Sequence, residues 1–268
     1  MIDDKLQAQL RAKYNPEGSI LRQHQLRTVE MLKYFDKLCK DNNIKYWLSS
    51  GSCLGAVRHG GFIPWDDDMD IEMLREDYLK LEKIFKETDN YILQTWKNDK
   101  YYTTAFAKIR DKHSEVYTSL YKYRGVFIDI FIIEKIPRQI AKLTAKYIIV
   151  THKVYNNIKK NNSLINKAIF LFLKFLFYYI ITPLIRLFIV IFNINSKSDY
   201  RHTYGTGWID NIRVITDIFP TNQLNFEGLL VPVPNKYDKY LTRIYGNYMQ
   251  LPDENNIQVP HTEFLKIK

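Results

Sequence analysis

Apolar residues recur every three or four positions at Leu26, Val29, Leu32, Phe35, Leu38 and Cys39. That is the period of one buried helix face, so a helix is expected over 26–39, ended by Asp41-Asn42-Asn43. Residues 1–25 are polar with few anchors and read as a short arm or helix. Residues 44–48 form a short apolar-rich strand that runs into Ser49-Ser50-Gly51-Ser52, with a short helix expected over 53–58. In Met69-Asp70-Ile71, large apolar side chains flank an acid, which marks a second strand. A helix over 75–87 follows, with Tyr78, Leu81 and Phe85 on one side. Three more strands are expected over 91–96, 103–110 and 126–133, with Glu134 exposed just beyond the last. After Pro137 the pattern is helical over 138–160, and 164–192 is the most apolar stretch of the chain. A loop at Gly205-Thr206-Gly207-Trp208 precedes a hairpin over 224–233 with Glu227-Gly228 at its middle. A closing helix over 236–245 turns Tyr237, Tyr240, Leu241 and Ile244 inward.

Charge changes that picture. The 268-residue chain carries a net charge of +10, but residues 135–198 hold 11 Lys or Arg and no Asp or Glu. The remainder has 28 basic and 29 acidic residues, a net of −1. A near-neutral body therefore carries one basic, apolar segment. Lys167, Lys174, Pro183 and Arg186 interrupt the apolar stretch, so no run of about 18 uncharged residues exists to make a clean membrane span. Two readings remain: a helical subdomain packed on the body, or a pair of helices lying on an anionic membrane surface. The lack of acid favours the second. Residues 1–15 are polar and charged, without a signal-peptide pattern. Cys39 and Cys53 sit among apolar neighbours and read as buried thiols in a reducing compartment.

The candidate chemistry lies between Leu48 and Glu72, where Asp66, Asp67, Asp68 and Asp70 fall within five positions. On a strand, Asp68 and Asp70 would project from the same face. Two carboxylates held that close repel unless a cation sits between them or one takes a proton. Oxygen ligands without nearby His or Cys suit Mg2+ or Mn2+. Asp129 repeats the pattern of an isolated acid in a β-prone run. Capping or salt-bridging would explain it, and so would a third carboxylate facing the first two. Gly51 and Ser52, between strand and helix, form a turn whose backbone N–H groups could cradle a phosphate. Arg58 is expected on a diphosphate. Lys108 and Arg110 belong either there or on a solvated surface. His59 is left open between phosphate contact, loop hydrogen bond and acid–base work. Together these residues describe a site for a nucleoside di- or triphosphate.

The run Gly51-Ser52-Cys53-Leu54-Gly55-Ala56-Val57-Arg58, followed by Phe62-Ile63-Pro64-Trp65-Asp66-Asp67-Asp68-Met69-Asp70-Ile71, resembles the LicD family. So do Val126-Phe127-Ile128-Asp129-Ile130-Phe131 and the tail from Val231-Pro232 through Tyr240-Leu241 to Tyr245-Gly246. The resemblance covers about residues 25–135 and 200–252, with Ser52 and Cys53 where Thr and Leu are commoner. It implies a nucleotidyltransferase-type α/β fold: a mixed sheet with flanking helices, interrupted by the basic, apolar helical insert. The expected parts are a catalytic core over 1–137, the insert over 138–198 and a completing segment over 199–268. It further implies metal-dependent transfer of phosphocholine from CDP-choline to a sugar hydroxyl of lipopolysaccharide or teichoic acid, releasing CMP. Related domains use CDP-ribitol. By position, Asp68 and Asp70 would bind the metal with Asp66 joining them, and Asp129 would be the third ligand or the base that deprotonates the acceptor. A choline headgroup calls for an aromatic enclosure, for which Trp65 and Trp208 are candidates. A lipid-linked acceptor would place the enzyme in the cytoplasm, on the inner face of the membrane. The rivals are another CDP-alcohol donor such as CDP-glycerol, a nucleotide-adding enzyme on RNA, and an inactive binding module. Nucleic acid is disfavoured because the positive charge is interleaved with long aliphatic runs.

Overall fold

The computed structural model describes residues 2–192, 198–257 and 264–267. Helix α1 (Asp4–Tyr14) and helix α2 (Ile20–Asp41) open the chain. The second starts earlier than its apolar period suggests, because Ser19 caps it by accepting from the Arg22 amide at 3.2 Å. Then come β1 (Trp47–Leu48), α3 (Ser50–His59), β2 (Asp70–Leu74), α4 (Arg75–Ile84), β3 (Tyr91–Gln94), β4 (Ala107–Asp111), β5 (Ser114–Glu115) and β6 (Phe127–Lys135). Helix α5 (Arg138–Asn161) pairs with a long helix made of α6 (Leu164–Phe175), a π-helical turn (Leu176–Ile181) and α7 (Thr182–Ile191). Strand β7 (Tyr200–His202), α8 (Ile215–Ile218), the hairpin β8 (Asn222–Phe226) and β9 (Leu229–Val233), α9 (Tyr237–Tyr245) and β10 (Lys266–Ile267) complete it.

The chain is α/β with a mixed sheet, as expected. Its order is β1-β2-β6-β4-β3, with β7 paired to the far end of β6. Strands β2 and β6 run parallel and the other pairings are antiparallel. This register decides what the sheet can do. Asp70 stands opposite Asp129, and Lys108 pairs with Asp129 from the other side. Side chains alternate, so Asp70, Glu72, Lys108, Asp129 and Phe131 share one face. Ile71, Met73, Ile109, Ile128 and Ile130 share the other, and are fully buried with Met31, Leu32 and Phe35 of α2. The C-terminal part adds Val231, Val233, Tyr240 and Leu241 to the same core. Cys39 and Cys53 are buried free thiols whose pKa burial pushes up.

Two expectations change. Glu134 is not an exposed residue beyond a strand but lies inside β6, with a side chain only 10% exposed. Arg186 grips its carboxylate at 2.6 and 2.9 Å, and Thr203 donates to it. Nor do the charges and Pro183 break the apolar stretch. Leu164–Ile191 is continuously helical, and its 28 residues are long and apolar enough to cross a membrane. Proline cannot donate and crowds the carbonyl four residues back. The wider π-helical turn just before Pro183 gives that carbonyl room.

Candidate active site

Helix α3 begins one turn earlier than expected. Gly51 and Ser52 therefore lie in its first turn, with Ser49 as N-cap. The helix start and the acidic run are built against each other. A Cβ on Gly51 would stand 3.0 Å from Asp66 Oδ2, so glycine lets that carboxylate approach the helix N-terminus. Ser52 Oγ accepts the Asp70 amide at 2.8 Å and fixes where β2 starts. Further along, a Cβ on Gly55 would meet the Gly61 carbonyl at 2.4 Å. Only glycine there allows the loop to fold back and deliver Trp65 and the aspartates.

Asp68 is not on the strand, as its alternation with Asp70 suggested. It lies in the approach to β2, its amide bonded to Asp66 Oδ1 at 3.3 Å. The carboxylates gather nonetheless. Burial, then Asp129, then Asp66 and Asp67 push the Asp68 carboxyl up to about 8. Burial, then Asp129 and Asp68 push Asp70 well above the usual carboxylate range. Lys108 ion-pairs with Asp129 and lies 3.7 Å from the Phe127 ring centroid, its own pKa lowered by burial despite that partner. Carboxylates that push one another toward the protonated form, with oxygens as the donor set, fit a divalent cation of the Mg2+ or Mn2+ type. Among the described residues, Asp66, Asp67 and Asp68 form a trio with one oxygen each within 4.8 Å of the others. Asp67 is thus a member that strand alternation passed over. Asp70 and Asp129 stand behind the trio as register partners.

Of these groups, Asp66, Asp67 and Asp68 line a cleft of about 630 Å³. Gly51, Trp65 and Asp66–Asp68 form one wall, and Tyr245, Tyr248 and Asn256 the other. Trp65 packs edge-on against Tyr14 at 5.2 Å. Trp208 is not one of the walls. It stands on Phe131 and His202 at 5.3 and 5.8 Å. Arg58 borders the cleft, but it sits in the last turn of α3 and not beside the helix start. Its guanidinium donates to the carbonyls of Tyr248 at 2.7 Å and Gln250 at 3.3 Å, pinning the second wall. Arg110 is no diphosphate ligand either. It is fully buried, donating to Gln94 Oε1 and the Gly125 carbonyl at 2.7 Å each and to the Tyr117 hydroxyl. His59, the last residue of α3, is held by its neighbours, contacting Gln7 Oε1 at 2.7 Å and accepting from Arg58 Nε at 2.9 Å. Burial and then Arg58 hold its pKa near about 3, so it stays neutral.

Residues 43–167 match the family profile described as LicD/FKTN/FKRP, nucleotidyltransferase domain. Lipopolysaccharide cholinephosphotransferase LicD of Haemophilus influenzae is 32% identical over 261 residues, covering 90% of this chain and 95% of that protein. The chain belongs to the LicD family. It is an enzyme of that transferase family. Over shorter stretches it resembles ribitol 5-phosphate transferase FKRP of Homo sapiens, 40% identical over 55 residues, 20% of this chain and 11% of that protein. Ribitol-5-phosphate transferase FKTN of Mus musculus is 42% identical over 52 residues, 19% of this chain and 11% of that protein. Beside Asp67, the cleft is lined by Tyr248, which the motifs did not mark, and by Tyr245, which they carried without a role. The tyrosines fall in the tail at irregular spacing, and only the folded wall brings them to the aspartates.

Proposed function

We propose that this LicD-family enzyme transfers phosphocholine from CDP-choline to a sugar hydroxyl of a lipid-linked glycan, lipopolysaccharide or teichoic acid, and releases CMP. It would work in the cytoplasm, at the inner face of the membrane. The observation that carries the reading is the convergence of Asp68, Asp70 and Asp129, with Lys108, beside the N-terminus of α3. The diphosphate would meet that N-terminus, where Ser49 Oγ is fully buried and has no hydrogen-bond partner among the described residues. Ser52 accepts from the Asp70 amide and keeps its own hydroxyl proton to donate. Asp66, Asp67, Asp68, Asp70 and Asp129 would hold Mg2+ or Mn2+, which when bound neutralises phosphate charge and stabilises the leaving oxygen. Asp129, positioned by Lys108, takes the proton of the acceptor hydroxyl as its oxygen attacks the phosphorus. Cleavage of the pyrophosphate bond frees CMP.

A panel of CDP-choline, CDP-ribitol and CDP-glycerol with purified protein and Mg2+ tests the donor. CMP release should be fastest with CDP-choline. The ribitol phosphate transferases among the relatives make CDP-ribitol the second reading, and a clear preference for it would replace the first. Trp65 refines the test. A quaternary ammonium over its ring gains about 0.5–2 kcal/mol, so Trp65→Ala should raise KM for CDP-choline roughly 2- to 30-fold. CDP-glycerol has no cation, and its KM should stay within about twofold. Equal losses for both donors would take Trp65 out of choline recognition.

A further inference from the structure

The helix from Leu164 to Ile191 inverts the usual arrangement of a water-facing helix. Its charges point inward. Lys174 is buried and donates to the carbonyls of Trp96, Asp99 and Lys100 at 3.4, 3.0 and 2.9 Å. Arg186 is committed to Glu134. Lys167 is half-buried in the first turns. The outward stripe is apolar: Ile169, Phe172, Phe175, Leu184, Leu187 and Ile191 are each at least 42% exposed. A helix facing water turns its charges out and its apolar stripe in.

Length and composition alone would let this helix cross a membrane. Its contacts forbid that. Near its start Phe170 packs on Tyr155 and Tyr101 at 6.0 Å each. Midway, Tyr178 stacks on Trp96 at 4.2 Å and donates to the Thr104 carbonyl at 3.3 Å. Toward its end Arg186 holds Glu134, and Ile189 is buried. From Phe170 to Ile189 the helix rises about 28 Å, nearly the thickness of a hydrocarbon core, and over that length it is fastened to α5 and, through Tyr101, Trp96, Thr104 and Glu134, to the body that carries the sheet. Acyl chains can reach one side only.

We propose that the outward stripe docks the enzyme on an anionic bilayer, with the helix axis in the membrane plane. Charge identifies the partner. Lys142, Lys146, Lys153 and Lys160 are exposed on α5, and their spacing puts them on one ridge of that helix. No acid occurs from residue 135 to 198. Two copies packed through this face would set acid-free segments against each other, whereas anionic headgroups complement them. An apolar groove of about 440 Å³ between Ile140 and α7 offers room for acyl chains on the same insert.

The full-length protein should float with phosphatidylcholine vesicles containing about 30% phosphatidylglycerol and bind pure phosphatidylcholine at least about tenfold more weakly. Phe172→Glu/Leu187→Glu should weaken binding to the anionic vesicles at least about tenfold while CMP release with a soluble acceptor sugar is unchanged. Lys142→Gln/Lys146→Gln/Lys153→Gln/Lys160→Gln should remove the preference for anionic lipid without touching the stripe, which keeps the test alive if the glutamates impair folding. With cysteines placed at Asn161→Cys or Phe192→Cys, a membrane-impermeant maleimide should label both on vesicle-bound protein. Three results would overturn the proposal: no flotation, protection of one of the two labels, or a dimer that Leu187→Glu dissociates. Because the soluble-acceptor assay is independent of lipid, loss of docking and loss of transferase activity read out separately.

Discussion

Asp70→Asn is expected to lower CMP release on the order of 10³-fold or more while the protein stays folded. The substitution keeps the shape of the side chain and leaves the 2.8 Å bond from the Asp70 amide to Ser52 Oγ intact. What it removes is one negative charge at the centre of the cluster, beside Asp129 in the register. Charge stabilisation by a bound metal is worth several kcal/mol, and each 1.4 kcal/mol is about tenfold in rate. The effect on stability should have the opposite sign. Without metal, Asp70 is pushed up by burial and then by Asp129 and Asp68, so these carboxylates cost folding energy when ionised. In chelator, Asp70→Asn should therefore melt higher than the parent by a few degrees, roughly 2–4 °C for each kcal/mol relieved. Excess Mg2+ should raise the parent's melting temperature more than the variant's. Turnover at the parent rate, or identical Mg2+ dependence of melting, would remove Asp70 from the site.

The fold was largely legible because its signals are local. The period of α2, the β-prone runs around Asp70 and Asp129 and the Glu227-Gly228 hairpin each declare themselves within a short stretch of sequence. The acidic constellation was legible for the same reason, since an acid between large apolar side chains needs an explanation wherever it occurs. Failures fell where partners are distant in sequence. Nothing near Arg110 says that Gln94, Gly125 and Tyr117 will use its guanidinium. Arg58 sits in a strong local motif, yet its partners Tyr248 and Gln250 are 190 and 192 residues away. Glu134 was misplaced because Arg186 comes to it from the insert. Charged residues in short motifs were thus assigned too readily to substrate, when burial had already committed some of them to structure.

One such commitment should dominate stability. Glu72 is fully buried on the sheet face that carries Asp70, and it gathers donors from across the chain. Trp47 Nε1 donates to it at 3.0 Å, His202 Nε2 contacts it at 2.9 Å, and Arg213 donates through Nε at 2.9 Å and Nη2 at 2.5 Å. The Tyr240 hydroxyl donates at 3.4 Å and accepts from the Ser50 amide, so the network ends at the start of α3. Burial alone would raise the Glu72 pKa, but Arg213 and His202 outweigh it and hold the carboxyl near about 2. The folded pKa lies below the ordinary 4.5, so this stabilisation is fully present above about pH 4.5 and drains away as pH falls toward 2. Arg213→Met leaves the carboxylate buried without its guanidinium, which should cost about 3–5 kcal/mol at pH 7. For a chain of this size that lowers the melting temperature by roughly 6–20 °C. In the variant, acid should narrow the deficit, because protonating Glu72 removes the charge that lacks a partner. Glu72→Gln/Arg213→Met should recover much of the loss at neutral pH for the same reason. Melting curves of the three proteins from about pH 3 to 8 decide it. A deficit independent of pH, or a double variant no better than Arg213→Met, would mean that Arg213 acts by packing and not by charge. Because Tyr240 links the network to Ser50, a relaxed network should also loosen the helix start, so Arg213→Met should lose CMP release at temperatures well below its melting point.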